Sequence, residues 1–276
     1  MESHSFFESD NLDFNLLKGD CLTVIPRIDK EINMVFADPP YFLSNDGLTV
    51  KNGRIQSVNK GQWDKLISDD DANAFTYEWL AAVREKMADN ATIWVSGTHH
   101  NIFTLGRILP QLGFKILNVV TWEKTNPPPN FSCRFFTHST EFVIWARKHP
   151  KVPHHFDYDL MKRLNADKQM KDVWRLPAVA KWEKSCGKHP TQKPLALLAQ
   201  IILASTKKDA VILDPFCGSA TTGIASNVLG RQFIGIDKEL EYLQLSQARY
   251  EELQVEGKKD FFKQHFYRLL NKTTDE

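Results

Sequence analysis

The 276-residue sequence predicts an α/β fold built on a doubly wound, largely parallel sheet, and three observations carry that reading. Short β-rich runs alternate with helix-period patterns, the grammar of βαβ units. Four of those runs end at or beside an aspartate, Asp20, Asp38, Asp214 and Asp237, most with glycine or proline adjacent. Apolar residues make up 42% and charged residues 25%, the balance of a globular core rather than of a disordered, collagen-like or coiled-coil chain. The length suits two domains, or one large α/β domain carrying an insertion.

In chain order, Phe14 to Leu17 reads as a strand ending at Gly19-Asp20, and Asn33 to Ala37 as a second strand ending in Asp38-Pro39-Pro40-Tyr41. Two prolines forbid its continuation, so the chain turns there. Ser44 to Gly61 is polar and without periodicity, and reads as a loop that carries Lys51, Arg54 and Lys60. A helix near Asp70 to Met87, a strand at Ala91 to Ser96, a helix at Ile102 to Leu112, and strands at Lys115 to Trp122 and Glu141 to Ala146 follow. Asn126-Pro127-Pro128-Pro129-Asn130 is a stiff connection between the last two. Pro194 suits a first helical turn, with Leu195, Leu198, Ile201 and Ile202 sharing one face. Asp209 to Asp214 is a buried strand, and Cys217 to Thr222 a small-residue turn into a helix that Gly230 stops. Phe233 to Asp237 is the next strand, and Glu239 to Val255 a long amphipathic helix.

The longest apolar stretch, Leu195 to Ala204, is too short for a bilayer and is interrupted by Gln200; the start of the chain lacks a signal-peptide pattern. A cytoplasmic enzyme without a membrane partner is expected. Of the four cysteines only Cys186 stands near another metal-ligand type, His189, and no second pair completes a zinc set, so no metal is expected. Net charge is +1 but unevenly spread: residues 146 to 188 hold eleven Lys or Arg against five acids, which leaves the rest of the chain at −5. Phe156, Tyr158, Trp174 and Trp182 are interleaved there, a pattern suited to nucleic acid, although a charge run is also simply a solvated surface.

In an open parallel sheet, ligands sit beyond the carboxyl ends of the strands, where these aspartates stand. The turn from Asp214 through Gly218 to Gly223 lets backbone approach a ligand, and Asp237, nineteen residues after Gly218, is placed to accept bonds from ribose hydroxyls. A Gly-x-Gly-x-x-Gly pattern is absent, because Ala220 holds the middle position. With Asp214 ahead of the turn, a nucleoside bearing a cationic group fits better than a pyrophosphate, although the turn alone also suits a plain strand-to-helix connection. Asp38-Pro39-Pro40-Tyr41 suits either a proline-stiffened turn or a pocket for a planar amine. In the pocket, the Asp38 carboxylate accepts one N–H, the Pro39 carbonyl accepts the other, and the Tyr41 ring stacks on the base. Together these draw the amine out of conjugation, so neither a nucleophilic residue nor a metal is required.

Asp38-Pro39-Pro40-Tyr41, His189-Pro190-Thr191-Gln192-Lys193-Pro194 and Asp214-Pro215-Phe216-Cys217-Gly218-Ser219-Ala220-Thr221-Thr222-Gly223, in that order, resemble the beta group of S-adenosylmethionine-dependent DNA amino-methyltransferases. The resemblance covers roughly Asn15 to Tyr250. It implies a class I methyltransferase fold, circularly permuted so that the catalytic tetrapeptide precedes the cofactor turn. It divides the chain into a catalytic half (residues 1–145), a target-recognition segment (146–188) and a cofactor-binding half (189–276). Asp38, Pro39, Pro40 and Tyr41 would hold the target base. Asp20, Thr191, Lys193, Asp214, Phe216, Gly218, Ser219, Thr221, Thr222 and Asp237, with Asp38 at the junction, would bind the cofactor. Lys162, Arg163, Lys168, Lys171 and Arg175, with Lys51, Arg54 and Lys60, would contact DNA.

An Asp at the head of the tetrapeptide favours N6 of adenine, since members acting on N4 of cytosine usually begin with Ser. N4-cytosine or RNA methylation, and a silent nucleic-acid-binding member of the fold, are the alternatives. Phe42-Leu43-Ser44-Asn45 and Gly61-Gln62-Trp63-Asp64-Lys65 resemble members of restriction systems that modify adenine in GATC or short asymmetric sites. Dimers are common in the family, so a homodimer is compatible with the resemblance.

Overall fold

Alternation along β3 (Ile32–Ala37) from Met34 onward shows how the sheet divides the core: Met34 and Phe36 join one apolar cluster, and Val35 and Ala37 the other, while an irregularity between Ile32 and Met34 turns Ile32 to the side of Val35. The chain is described here by a computed structural model covering residues 4–41, 48–51, 54–57, 68–127, 129–130 and 133–272. Its main sheet contains β1 (Ser5–Glu8), β2 (Phe14–Lys18), β3, β6 (Met87–Gly97), β7 (Lys115–Lys124), β8 (Thr140–Arg147), β9 (Val173–Leu176), β10 (Val211–Asp214) and β11 (Gln232–Asp237). Their order is β1-β2-β11-β10-β3-β6-β8-β7-β9, and only β1 and β8 run against the rest. The C-terminal strands β10 and β11 thus sit between β2 and β3 of the N-terminal part, as a circular permutation requires.

Helices cover both faces. α1 (Cys21–Val24), α2 (Asp69–Lys86) and α3 (Ile102–Gln111) pack on the side of Val35, Ile93 and Ile236. α5 (Leu195–Ser205), α6 (Thr221–Val228), α7 (Leu240–Gln254) and α8 (Lys258–Lys272) pack on the side of Met34, Trp94 and Phe233. Every residue of α5 is buried, because α6 and α8 cover the face turned away from the sheet. Among the described residues no helix is long and apolar enough to cross a membrane.

β1, α8, β4 (Leu48–Lys51) and β5 (Arg54–Ser57) lie outside the sequence expectations. β1 and α8 occupy stretches that read as tails, yet Phe262, Phe266 and Leu270 form an i, i+4, i+8 stripe that is buried against the core. β4 and β5 pair antiparallel within the expected loop, on either side of Asn52-Gly53, a strong hairpin sequence. Lys51 and Arg54 are therefore backbone partners in that hairpin, while Lys60, residues 42–45 and residues 61–65 lie outside the described residues.

A further difference concerns residues 146–188, which are woven into the domain. Arg147 and Lys148 lie at the amino edge of the parallel strands, where Arg147 pairs with Thr92 and Lys148 reaches Asp89 and the Met87 carbonyl. α4 (Tyr158–Arg163) then buries Met161, and β9 extends the sheet beside β7. Trp174 is only 8% exposed and lies 6.0 Å from Trp94, while the Trp182 ring packs edge-on to Phe262 of α8 at 5.2 Å. Two of the four aromatics expected on the nucleic-acid surface are thereby held in the fold, because indole burial outweighs their polar neighbourhood.

Candidate active site

Strand order reverses between β10 and β3: β10 leads by α6 to β11 on one side, and β3 leads by α2 to β6 on the other. A crevice opens at such a switch point. The four aspartates stand on adjacent strands there, in the order Asp20 after β2, Asp237 at the end of β11, Asp214 at the end of β10 and Asp38 after β3. At the usual strand spacing this row spans about 14 Å. A cavity of about 620 Å³ lies along it, and all of the cofactor candidates named from the sequence line it, as does Pro40.

The glycine turn is shaped by its backbone. Gly218 (φ +51°) and Ala220 (φ +50°) both take the left-handed conformation, and a Cβ at Gly218 would lie 2.9 Å from the His189 ring. The Ala220 methyl is wholly buried, so the extra carbon faces away from the cavity. Asp237 fixes the turn by accepting from the Gly218 N–H at 2.9 Å and the Glu239 N–H at 2.9 Å. From below, the buried Arg249 guanidinium donates to the Ser219 carbonyl and hydroxyl and to the Thr221 hydroxyl, and burial brings its pKa down to about 10. Phe216 packs across the cavity mouth against Phe75 and Trp79 of α2.

The carboxylates differ in environment. Asp214 accepts from the Thr222 hydroxyl at 2.6 Å and the Phe216 N–H at 3.1 Å; burial, opposed by those bonds and reinforced by Asp38 and Asp237, pushes its carboxyl up to about 7. Burial likewise takes Asp237 to about 6. Asp20 caps α1 through the Leu22 N–H and pairs with Lys238 at 2.6 Å. Its burial favours the neutral acid, but Lys238 and the Leu22 N–H together hold it below the ordinary carboxylate value.

Because the folded state binds the Asp214 proton more tightly than the unfolded chain, stability should fall as pH rises from about 4 to about 7, by on the order of 4 kcal/mol from this group. Asp214→Asn should flatten that fall and stabilise the ligand-free protein at pH 8, since an amide can still accept from Phe216 and meet the Thr222 hydroxyl. Denaturant midpoints at pH 5 and 8 check this; a pH dependence equal to that of the parent would exclude it.

On the β3 side, both Asp38 oxygens are engaged: Lys193 Nζ lies 2.5 Å from Oδ2, and the Tyr41 hydroxyl donates to Oδ1 at 2.6 Å. Tyr41 Oη is also 3.3 Å from Ser96 Oγ on β6, and burial together with the Asp38 charge raises its pKa well above 10. Burial pulls the Lys193 pKa down, but Asp38, Tyr41 and Glu141 outweigh this and hold it well above the ordinary lysine value. Glu141, on β8, lies 3.6 Å from Lys193 and 2.5 Å from Lys124. These two cations outweigh its burial and hold its carboxyl below the usual range. Its Oε2 is buried without a hydrogen-bond partner among the described residues.

Glu141, Ser96, His189, Phe75 and Tyr242 join the site without having been marked as site residues by the sequence. His189 lines the cavity with its ring edge-on to Tyr242 at 4.3 Å, and burial lowers its pKa to about 4. Thr191 and Lys193 reach the cavity from the loop ahead of α5, while Pro39 is buried and neither it nor Tyr41 is among the lining residues. Of the basic residues, Arg163, Lys168, Lys171 and Arg175 are exposed, Lys162 is half-buried, and Arg175 pairs with Glu123 at 3.2 Å. Among the described residues no cluster of His, Cys, Asp and Glu is placed to hold a metal ion.

Residues 32–248 match the family model described as DNA methylase. A Type II methyltransferase of Moraxella bovis, M2.MboI, is 60% identical over 262 residues, covering 95% of this chain and 96% of the relative. The Type II methyltransferase M2.DpnII of Streptococcus pneumoniae is 52% identical, covering 86% of this chain and 89% of its own length. Among solved structures, the M1.HpyAVI–SAM complex superposes with a TM-score of 0.67 at 28% identity, covering 86% of this chain and 98% of that one. The chain belongs to the DNA methylase family, whose members transfer methyl groups to DNA.

Proposed function

We propose that this protein methylates N6 of adenine at a specific site in DNA with S-adenosylmethionine, as the modification enzyme of a restriction system. The observation that carries the reading is the row of four aspartates along one cavity with Asp38 at its end. The residues fit this cofactor. Asp237 stands at the approach of the Gly218 backbone, where ribose hydroxyls need an acceptor, and Asp20 ends the row on the adenine side. Asp214 offers a buried carboxylate to the ammonium of the methionine end, so Asp214→Asn should cost cofactor affinity even where it stabilises the fold. Phe216 covers the apolar body, and Ser219, Thr221 and Thr222 shape the floor.

When bound, S-adenosylmethionine supplies an electrophilic methyl group. The chain's own groups prepare the amine. Asp38 and the Pro39 carbonyl accept its two N–H bonds, turning the nitrogen lone pair toward the cavity, and Tyr41, anchored through its hydroxyl, presents its ring beside the base. Since both Asp38 oxygens are occupied, the amine needs Lys193 to yield. Glu141 Oε2, already 3.6 Å from Lys193 Nζ and without a hydrogen bond among the described residues, is the acceptor beside it, which makes Glu141 a positioning residue acting through Lys193. Adenine paired in a duplex must first leave the stack.

Exposed Arg163, Lys168, Lys171 and Arg175, with Lys162, are assigned to phosphates, and the hairpin of Lys51 and Arg54, with Lys60, to the same strand region. Neutralising Lys162, Arg163, Lys168 and Lys171 together should reduce the salt slope of DNA binding by about 0.9 for each phosphate no longer neutralised. An unchanged slope would leave the hairpin as the element that meets phosphates. Expression in a host without adenine methylation, followed by mapping of modified bases, tests the reading. N6-methyladenine at one recurring sequence is expected, and an unmodified genome would overturn it.

A further inference from the structure

The most exposed described aromatics lie outside the basic segment: Phe136 is 96% exposed, Phe103 79% and Phe135 58%. Phe135 and Phe136 belong to the connection between β7 and β8, which enters β8 at the carboxyl edge of the parallel strands, where Phe142 pairs with Gly97, and which meets the chain after β6. Tyr41 Oη approaches Ser96 Oγ at 3.3 Å; three residues on, the His99 ring stacks on His138 at 4.8 Å; His138 packs against Phe135 at 5.3 Å. The Asn130 side chain donates to the Phe135 carbonyl at 2.5 Å, so the backbone is held at that point. Five residues after Phe136 comes Glu141, which faces Lys193 and through it Asp38.

Two adjacent phenyl rings kept in water at the edge of the sheet where Asp38 stands need a partner that covers them. An unpaired purine leaves a gap in the duplex of the size of an aromatic ring, and side chains of this type fill such gaps. We propose that Phe135 and Phe136 form a wedge that enters the base stack of double-stranded DNA as the target adenine leaves it, holding the base out toward Tyr41. This rests on the reading of the protein as a DNA amino-methyltransferase. The wedge matters only when the adenine starts inside a stack, and that condition separates it from a general DNA contact.

The test uses the full chain and three oligonucleotides carrying the site found by mapping: a paired duplex, a duplex whose target adenine faces an abasic position, and the single strand. The Phe135→Ala/Phe136→Ala double variant should lose roughly ten- to a hundredfold of its transfer rate on the paired duplex, the range set by one or two aromatic–base stacks. On the abasic duplex and single strand it should fall within about threefold of the parent, and Phe136→Trp, which keeps an aromatic ring there, should retain transfer on the paired duplex. Fluorescence of 2-aminopurine at the target position should rise with the parent and not with the double variant. Equal losses on all three substrates, no loss on any, or a change of oligomeric state with duplex activity retained would overturn the wedge. Absence of transfer by the parent on every substrate would instead contradict the methyltransferase reading.

Discussion

Asp38→Ala should lower methyl transfer by roughly two to four orders of magnitude while S-adenosylmethionine binding remains measurable. The expectation rests on position: Asp38 is the last carboxylate of the row and the one that meets Tyr41 and Lys193. Its removal takes away the main acceptor for the amine and leaves the Lys193 ammonium, only 8% exposed, with Glu141 as its remaining anion. Breaking a buried pair this way also destabilises the fold, typically by about 3–5 kcal/mol, so thermal unfolding must accompany the kinetics. Asp38→Asn keeps the volume and should fail as well, because half of its polar end donates where the amine needs an acceptor. Single-turnover rates and calorimetric titration with the cofactor separate the two effects. Near-parental turnover by either variant would remove Asp38 from the reaction.

The second large effect concerns a pair that is distant in sequence. Lys193→Met should reduce kcat by about a hundredfold and Glu141→Gln by about tenfold, with KM for DNA little changed. The double variant should be no slower than Lys193→Met alone. That non-additivity is the signature of one residue acting through another. A structural role for Glu141, exerted through its contact with Lys124 at 2.5 Å, would instead add its loss to that of Lys193→Met. Independent, additive losses would therefore reduce Glu141 to part of the scaffold.

Most of the architecture was legible because strand ends carry their own punctuation. Asp38-Pro39-Pro40 and Asp214-Pro215 stop a β-rich run with residues that cannot extend it, and the structure ends β3 and β10 there. The order of the motifs indicated the permutation, and the sheet order shows it. What escaped depends on tertiary partners. α8 has a readable apolar stripe, but only its docking on α5, α6 and α7 gives that stripe a core to face. Trp174 and Trp182 have the composition of a nucleic-acid surface, and nothing local reveals that Trp94 and Phe262 cover them. A charge sum over residues 146–188 likewise cannot tell that Arg147 and Lys148 end at the amino edge, away from Asp38.

The site followed the same division. Asp20, Asp214, Asp237 and Asp38 were readable because each closes a strand, and parallel strands bring such ends to one edge. The Lys193–Asp38 contact joins residues 155 positions apart, and Glu141 directly precedes the apolar run Phe142 to Ala146 of its strand. A charged residue two positions into such a strand was the available signal, since burial there demands a partner.

Purified protein incubated with methyl-labelled S-adenosylmethionine and DNA, followed by digestion to nucleosides, identifies both the methylated base and the part played by Asp38. Label is expected in N6-methyladenine with the parent protein and none with Asp38→Asn at matched cofactor occupancy. Label in N4-methylcytosine, or equal label from both proteins, would contradict the proposed reaction.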